Sequence, residues 1–93
     1  MTPEINKERA EELSPSDELK YATDGMVNGD WGEVEDCLHS FARKVQASGI
    51  SAEARGLLRE EFNILKSRIG VASIPEDYNT RILNALTSAD ESL

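Results

Sequence analysis

The fold of this chain is decided by residues 30–45, which read DWGEVEDCLHSFARKV. The apolar side chains recur at steps of three and four residues: Trp31, Val34, Leu38, Phe41 and Val45. This spacing places them on one face of an α-helix. Asp30 is a residue type that caps helix N-termini, and Glu33 stands three positions later, where it can bond back to the cap. The stretch therefore predicts an amphipathic helix over 31–47.

The same kinds of signal, read outward from this helix, mark the starts of three more. Ser14-Pro15-Ser16-Asp17 offers a capping serine, a proline at the first helical position and an acid at the third. Ser51 is in place to cap a further helix. Pro75 opens the last one, with Ser73 and Glu76 in capping-box register.

Glycines mark the predicted helix ends. Gly29, Gly49 and Gly70 each follow a segment that is predicted to be helical. Glycine readily takes the left-handed conformation that ends many helices. We expect Val71 to pack back on Leu65, as the residue after such a glycine often does.

The remaining apolar residues support four helices. One stripe lies on 52–69, and Leu57 and Ile64 are predicted to widen it; its core members are Leu58, Phe62, Leu65 and Ile69. Shorter stripes are formed by Leu19, Ala22 and Met26, and by Tyr78, Ile82, Ala85 and Leu86. No segment alternates apolar and polar residues long enough for a strand. The sequence predicts an all-α, up-and-down bundle of four helices, at about 15–27, 31–47, 52–69 and 75–87.

The 93 residues predict one domain over 1–93. Residues 1–13 offer only Ile5, Ala10 and Leu13 as apolar anchors, so we expect a loosely anchored N-terminal segment, with a short helix there as an alternative. Residues 88–93 are polar and are predicted to fray.

Charge limits the classes of partner. The net charge of −8 repels phosphate backbones and anionic membranes, so we expect no direct nucleic-acid or membrane binding and favour a protein with a basic surface. No apolar run reaches the ~20 residues of a membrane span. The N-terminus lacks a signal pattern and Cys37 is the single cysteine, so the sequence predicts a cytoplasmic protein.

Two acidic groups are the candidate partner-binding residues. The first comprises Asp30, Glu33, Glu35 and Asp36; the second comprises Glu8, Glu11 and Glu12. Carboxylates on rigid helices can meet a basic protein surface or imitate a nucleic-acid backbone. The simpler interpretation is that they cap helices and solvate exposed faces.

A calcium-binding loop is a weaker alternative for residues 24–35. Asp24, Asn28, Gly29 and Glu35 fall at positions one, five, six and twelve of such a loop. Met26 occupies position three and supplies no oxygen, so the helix–turn–helix interpretation is simpler.

Catalytic chemistry is not predicted. Cys37 and His39 are two residues apart, so on a helix they do not face each other. We expect Cys37 to pack as a small apolar residue and His39 to lie on the surface beside Glu35. With one cysteine and one histidine the chain cannot complete a zinc site. The sequence predicts no catalytic, cofactor-binding or metal-ligating residues and no cofactor.

The helix over 52–69 is the one basic element, through Arg55, Arg59, Lys66 and Arg68. Our interpretation is that these basic residues pair with acids on neighbouring helices. The alternative is a contact strip for an acidic partner.

These observations favour a non-catalytic protein-binding module that acts as an inhibitor, adaptor or regulator and presents an acidic helical surface. The alternative is a nucleic-acid mimic, a phage-type inhibitor that occupies the basic groove of a nucleic-acid-binding protein. Homodimerisation through an apolar helix face stays open, because a domain this small gains stability when it buries more apolar surface.

Overall fold

A computed structural model of the chain describes residues 14–47 and 49–93. This part of the chain forms four helices: α1 (Pro15–Asn28), α2 (Trp31–Ala47), α3 (Ala52–Gly70) and α4 (Glu76–Ser92). It contains no strand, so the prediction of an all-α bundle of four helices is confirmed. The predicted N-terminal segment, residues 1–13, lies outside the described residues.

Local capping chemistry fixes where three of these helices begin. At α1, the Ser14 hydroxyl accepts a hydrogen bond from the Asp17 N–H (3.2 Å), while the Asp17 carboxylate accepts one from the Ser14 N–H (3.4 Å). Ser51 and Asp30 accept equivalent bonds from the N–H three residues on, at 3.1 and 3.2 Å. These bonds satisfy donors that a helix end otherwise leaves open.

The helix ends match the predictions at two glycines and differ at the third. Gly29 and Gly49 have positive φ, of 76° and 55°, as expected. Gly70 instead remains helical, and α3 is capped by Val71 with φ −104°. The Val71 N–H donates to the Arg68 carbonyl three residues back (3.3 Å), which tightens the last turn without a left-handed residue. The expected packing of Val71 on Leu65 is wrong, because Val71 is 88% exposed.

Helix α4 differs from the prediction at both ends. It begins at Glu76 with Pro75 as its cap and without a side-chain capping bond, so the predicted capping box is not formed. It continues to Ser92, where residues 88–93 were predicted to fray. Ala89 and Ser92 extend its buried face. Arg55 donates to the Ser92 carbonyl (2.8 Å), so a partner from α3 holds the last turn in place.

One face of each helix contributes to a single core. Helix α2 packs against α1 and α4, and α3 packs against α1 and α4 from the other side. Among the described residues, α2 and α3 make no close backbone contact although a short connection joins them. Core-facing residues of α3 were predicted correctly, but Leu57 and Ile64 do not widen its buried stripe. They are 60% and 59% exposed, because no helix of the described part of the chain covers that side of α3.

Candidate functional site

Four carboxylates gather where α1 ends and α2 begins, and we call this group the acidic corner: Asp24, Asp30, Glu33 and Asp36. Asp24, Asp30 and Asp36 are exposed, and Glu33 is partly buried. Asp24 comes from the last turns of α1, Asp30 from the turn, and the other two from the start of α2. Two helices and a two-residue turn thus bring together acids that are up to twelve residues apart along the chain.

The turn that holds the acidic corner is tight. The Asp30 N–H donates to the Gly25 carbonyl at 2.7 Å. A β-carbon at Gly25 would lie 3.1 Å both from the Asp30 carbonyl oxygen and from a methyl group of Val34. Glycine therefore lets α1 approach the start of α2 closely, and no local sequence signal indicates this contact. The result is a rigid base for the carboxylates.

Electrostatic repulsion within the acidic corner is visible at Glu33. Its pKa is raised above the usual value, first by desolvation and then by the negative charges of Asp30, Asp24 and Asp36. A carboxylate responds in this way when like charges lie close to it. The corner is therefore a local concentration of negative charge rather than a set of independent surface acids.

Glu35, which the sequence grouped with these acids, has a different environment. Its carboxylate forms an ion pair with Arg81 of α4, with N–O distances of 2.6 and 3.1 Å. The same guanidinium lies 4.8 Å from the centre of the Tyr78 ring. Glu35 thus ties α2 to α4 and does not lie beside His39 in an ion pair. Of the other predicted partner-binding residues, Glu8, Glu11 and Glu12 lie outside the described residues.

The segment aligned to a calcium loop does not form a loop. Residues 24–28 belong to α1 and residues 31–35 belong to α2, which leaves Gly29 and Asp30 as the whole connection. A calcium loop of this type wraps its ligands around the ion over twelve consecutive residues. Because these residues belong to two helices, they do not take the consecutive loop positions that the calcium-binding alternative requires.

Cys37 and His39 point in different directions, as the helical spacing predicted. Cys37 is partly buried and packs against the core, while His39 is exposed. Burial, together with the charges of Glu18, Glu33 and Asp36, raises the pKa of the Cys37 thiol to about 12. A thiol in this environment is a poor nucleophile at neutral pH, because the thiolate is the reactive form.

Among the surface depressions that the described residues line, one, of about 450 Å³, lies between α2 and α4; its lining residues are Asp36, His39, Ala42, Arg43, Gln46 and Ser88. Another, of about 430 Å³, lies between the end of α3 and α4, and it includes Ile69, Ile74 and Leu83. Within the described residues, no group of three or more metal-ligating side chains comes together.

Sequence reasoning missed a buried charge. Glu18 is only 4% exposed, and its carboxylate lies 3.6 Å from the Lys44 ammonium group, which joins α1 to α2. Glu18 precedes Leu19 in the first turns of α1. An acid at such a position is usually exposed to solvent and interacts favourably with the positive end of the helix dipole. Only the placement of α2 reveals that this acid faces inward.

The basic residues of α3 do not act as a set. Arg55 bonds to the backbone of α4 rather than to an acid, whereas Arg59, Lys66 and Arg68 are exposed.

In the described part of the chain, no helix combines the length and apolar character needed to cross a membrane. Comparison of the chain with models of known protein families, with curated protein sequences and with solved structures finds no match.

Proposed function

We propose that this protein is a non-catalytic protein-binding module that uses the acidic corner to dock on a basic surface of another protein. It then acts as an inhibitor, adaptor or regulator of that partner. The observation that carries the proposal is the gathering of four carboxylates, those of Asp24, Asp30, Glu33 and Asp36, where α1 meets α2. Desolvation first, and then the negative charges of the other three, raise the pKa of Glu33. Holding like charges together costs free energy in the isolated protein. A basic partner removes that cost on binding, so the arrangement favours association.

The rigidity of the acidic corner supports the same function. Asp30 caps α2 and donates its N–H to Gly25, so the carboxylates are carried on fixed helix ends rather than on a loop. A pre-organised surface loses little conformational entropy on binding. Glu35, which is engaged with Arg81, contributes to holding α2 in place instead of to the contact.

Two variants with the same change in charge test the proposal. The first neutralises the corner by Asp24→Asn, Glu33→Gln and Asp36→Asn, and keeps Asp30 as the cap. The control neutralises three acids of α4 by Asp77→Asn, Asp90→Asn and Glu91→Gln. Tagged protein of each kind is used to capture partners from native lysate, and the dissociation constant of each captured protein is then measured.

We expect the corner variant to bind the captured partner at least about tenfold more weakly than the wild type, and the control variant to bind it within about twofold. Equal weakening by both variants would mean that net charge alone matters. Unchanged binding by the corner variant would place the contact elsewhere. Either result contradicts the proposal.

The narrower alternative, nucleic-acid mimicry, is distinguished by competition. If the protein is such a mimic, duplex DNA displaces it from the captured partner, and the affinity between the two proteins falls steeply as salt rises. The protein then occupies the partner's site for a phosphate backbone. A partner that retains the protein in excess duplex DNA supports the general protein-binding function.

A further inference from the structure

A second surface, separate from the acidic corner, runs along the outer side of α3. Leu57, Ile64 and Val71 are exposed to 60%, 59% and 88% of their surface and follow one another at intervals of seven residues. Leu57 and Ile64 lie on one side of α3, and Val71, which caps α3 directly after its last residue Gly70, continues the same interval. We call these three residues the outer stripe. Single exposed apolar residues are ordinary, but an aligned row of them at this spacing is typical of a helix-pairing surface.

We propose that two copies of this chain pair through the outer stripe, with their α3 helices antiparallel. A two-fold axis near Ile64 places each Ile64 against its counterpart. It also places Leu57 of each copy against Val71 of the other. The contact is then the same patch on both copies, as two-fold symmetry requires. This inference does not depend on the function proposed for the acidic corner.

Charge along α3 selects the antiparallel arrangement. The exposed acids near the outer stripe, Glu53 and Glu60, lie in the N-terminal half of the helix, and the exposed Arg68 lies in the C-terminal half. With the axis at Ile64, an antiparallel copy brings each Arg68 opposite Glu60 of the other helix. A parallel copy would set acids beside acids. Pairs at the edge of such a contact choose orientation more than they add affinity.

The size of the contact sets the expected strength. One pair of helices of this length buries less than the roughly 1,200–2,000 Å² of a stable protein interface, so we expect a dissociation constant of the order of micromolar. Sedimentation equilibrium of the full chain from about 1 to about 500 μM tests this directly. The mass should rise from 10.3 kDa towards twice that value. A monomer throughout that range would overturn the proposal and leave the stripe to a different partner.

Matched substitutions locate the contact. Ile64→Glu should leave the protein monomeric, while Leu83→Glu should not, although Leu83 on α4 is similarly exposed at 55%. Arg68→Glu should weaken pairing at least about tenfold, whereas Arg59→Glu, the same change on another side of α3, should alter it by less than about twofold. Equal effects within either pair would contradict the assignment to the outer stripe. Circular dichroism of each variant shows whether it retains the helical fold.

Disulfide trapping determines the orientation. In a Cys37→Ala background, Ile64→Cys should link to itself in the presence of oxidised glutathione. Leu57→Cys should link only when it is mixed with Val71→Cys. Efficient self-linking of Leu57→Cys would show a parallel pair and overturn the proposal.

Discussion

The rings of Phe41 and Phe62 stack with their centroids 6.0 Å apart and their planes 6° from parallel. Both side chains are fully buried. They belong to α2 and α3, whose backbones are not in contact among the described residues. The ring pair therefore joins the two helices across the middle of the bundle.

Removing one of these rings should destabilise the fold strongly. We expect Phe62→Ala to lower the free energy of unfolding by about 3–5 kcal/mol, because it leaves a cavity where the Phe41 ring loses its neighbour. Urea denaturation followed by circular dichroism measures the change. Leu83→Ala, at an exposed site, serves as the control and should cost less than about 1 kcal/mol. A loss below about 1 kcal/mol for Phe62→Ala would contradict the stacked arrangement.

The buried Glu18–Lys44 pair gives a prediction about unpaired charge. Lys44→Ala should cost about 2–4 kcal/mol, since the Glu18 carboxylate then stays buried without its cation. The double variant Glu18→Leu, Lys44→Met should return to within about 1 kcal/mol of the wild type, because both charges are gone. Lys20→Ala, at an exposed position of α1, is the control. The placement of Glu18 would be wrong if the double variant were no more stable than Lys44→Ala.

Cys37 should react slowly with thiol reagents. Its pKa is raised to about 12, chiefly by burial, so the thiolate is scarce at neutral pH. We expect alkylation by iodoacetamide at about pH 8 to be at least about 100-fold slower than that of Thr80→Cys, an exposed cysteine placed in a Cys37→Ala background. Mass spectrometry over time gives both rates. Comparable rates in the folded proteins would refute the described environment of Cys37.

Glu33 predicts a dependence of stability on pH. Its folded-state pKa is raised above the usual 4.5, so the folded state binds more protons above that value, and stability falls as pH rises through the folded pKa. Glu33→Gln should therefore be more stable than the wild type at about pH 7, by no more than about 1 kcal/mol, and equally stable at about pH 3.5. Thermal unfolding at both pH values tests this. A less stable Gln variant at about pH 7 would show that the helix dipole outweighs the repulsion.

Features fixed by neighbouring residues could be predicted from the sequence. The caps at Ser14, Asp30 and Ser51 and the glycine at 29 depend on bonds within three or four residues, and the structure contains them. Helix existence follows from the same local signals together with apolar spacing.

Features fixed by distant residues could not be predicted. Leu57 and Leu58 are adjacent and chemically identical. The apolar spacing placed Leu58 in the core stripe, but only the positions of α1 and α4 decide that Leu57 lies outside it. The last turn of α4 is polar, yet Arg55, 37 residues earlier, holds it through the Ser92 carbonyl.

The candidate site shows the same limit. Glu35 and Asp36 were predicted as equivalent partner-binding acids, but Arg81, 46 residues beyond Glu35, engages one and leaves the other exposed in the acidic corner. Asp24 belongs to the corner through the tight approach at Gly25, which the composition of the segment did not indicate.

The binding role of the acidic corner is tested most directly by nuclear magnetic resonance. The backbone amide spectrum of the isotopically labelled protein is recorded with and without a partner captured from lysate and purified. We predict that the largest shifts fall on residues 24–36, with little change in α3 and α4. Shifts centred on the outer stripe of α3 or on α4, with residues 24–36 unchanged, would contradict the account.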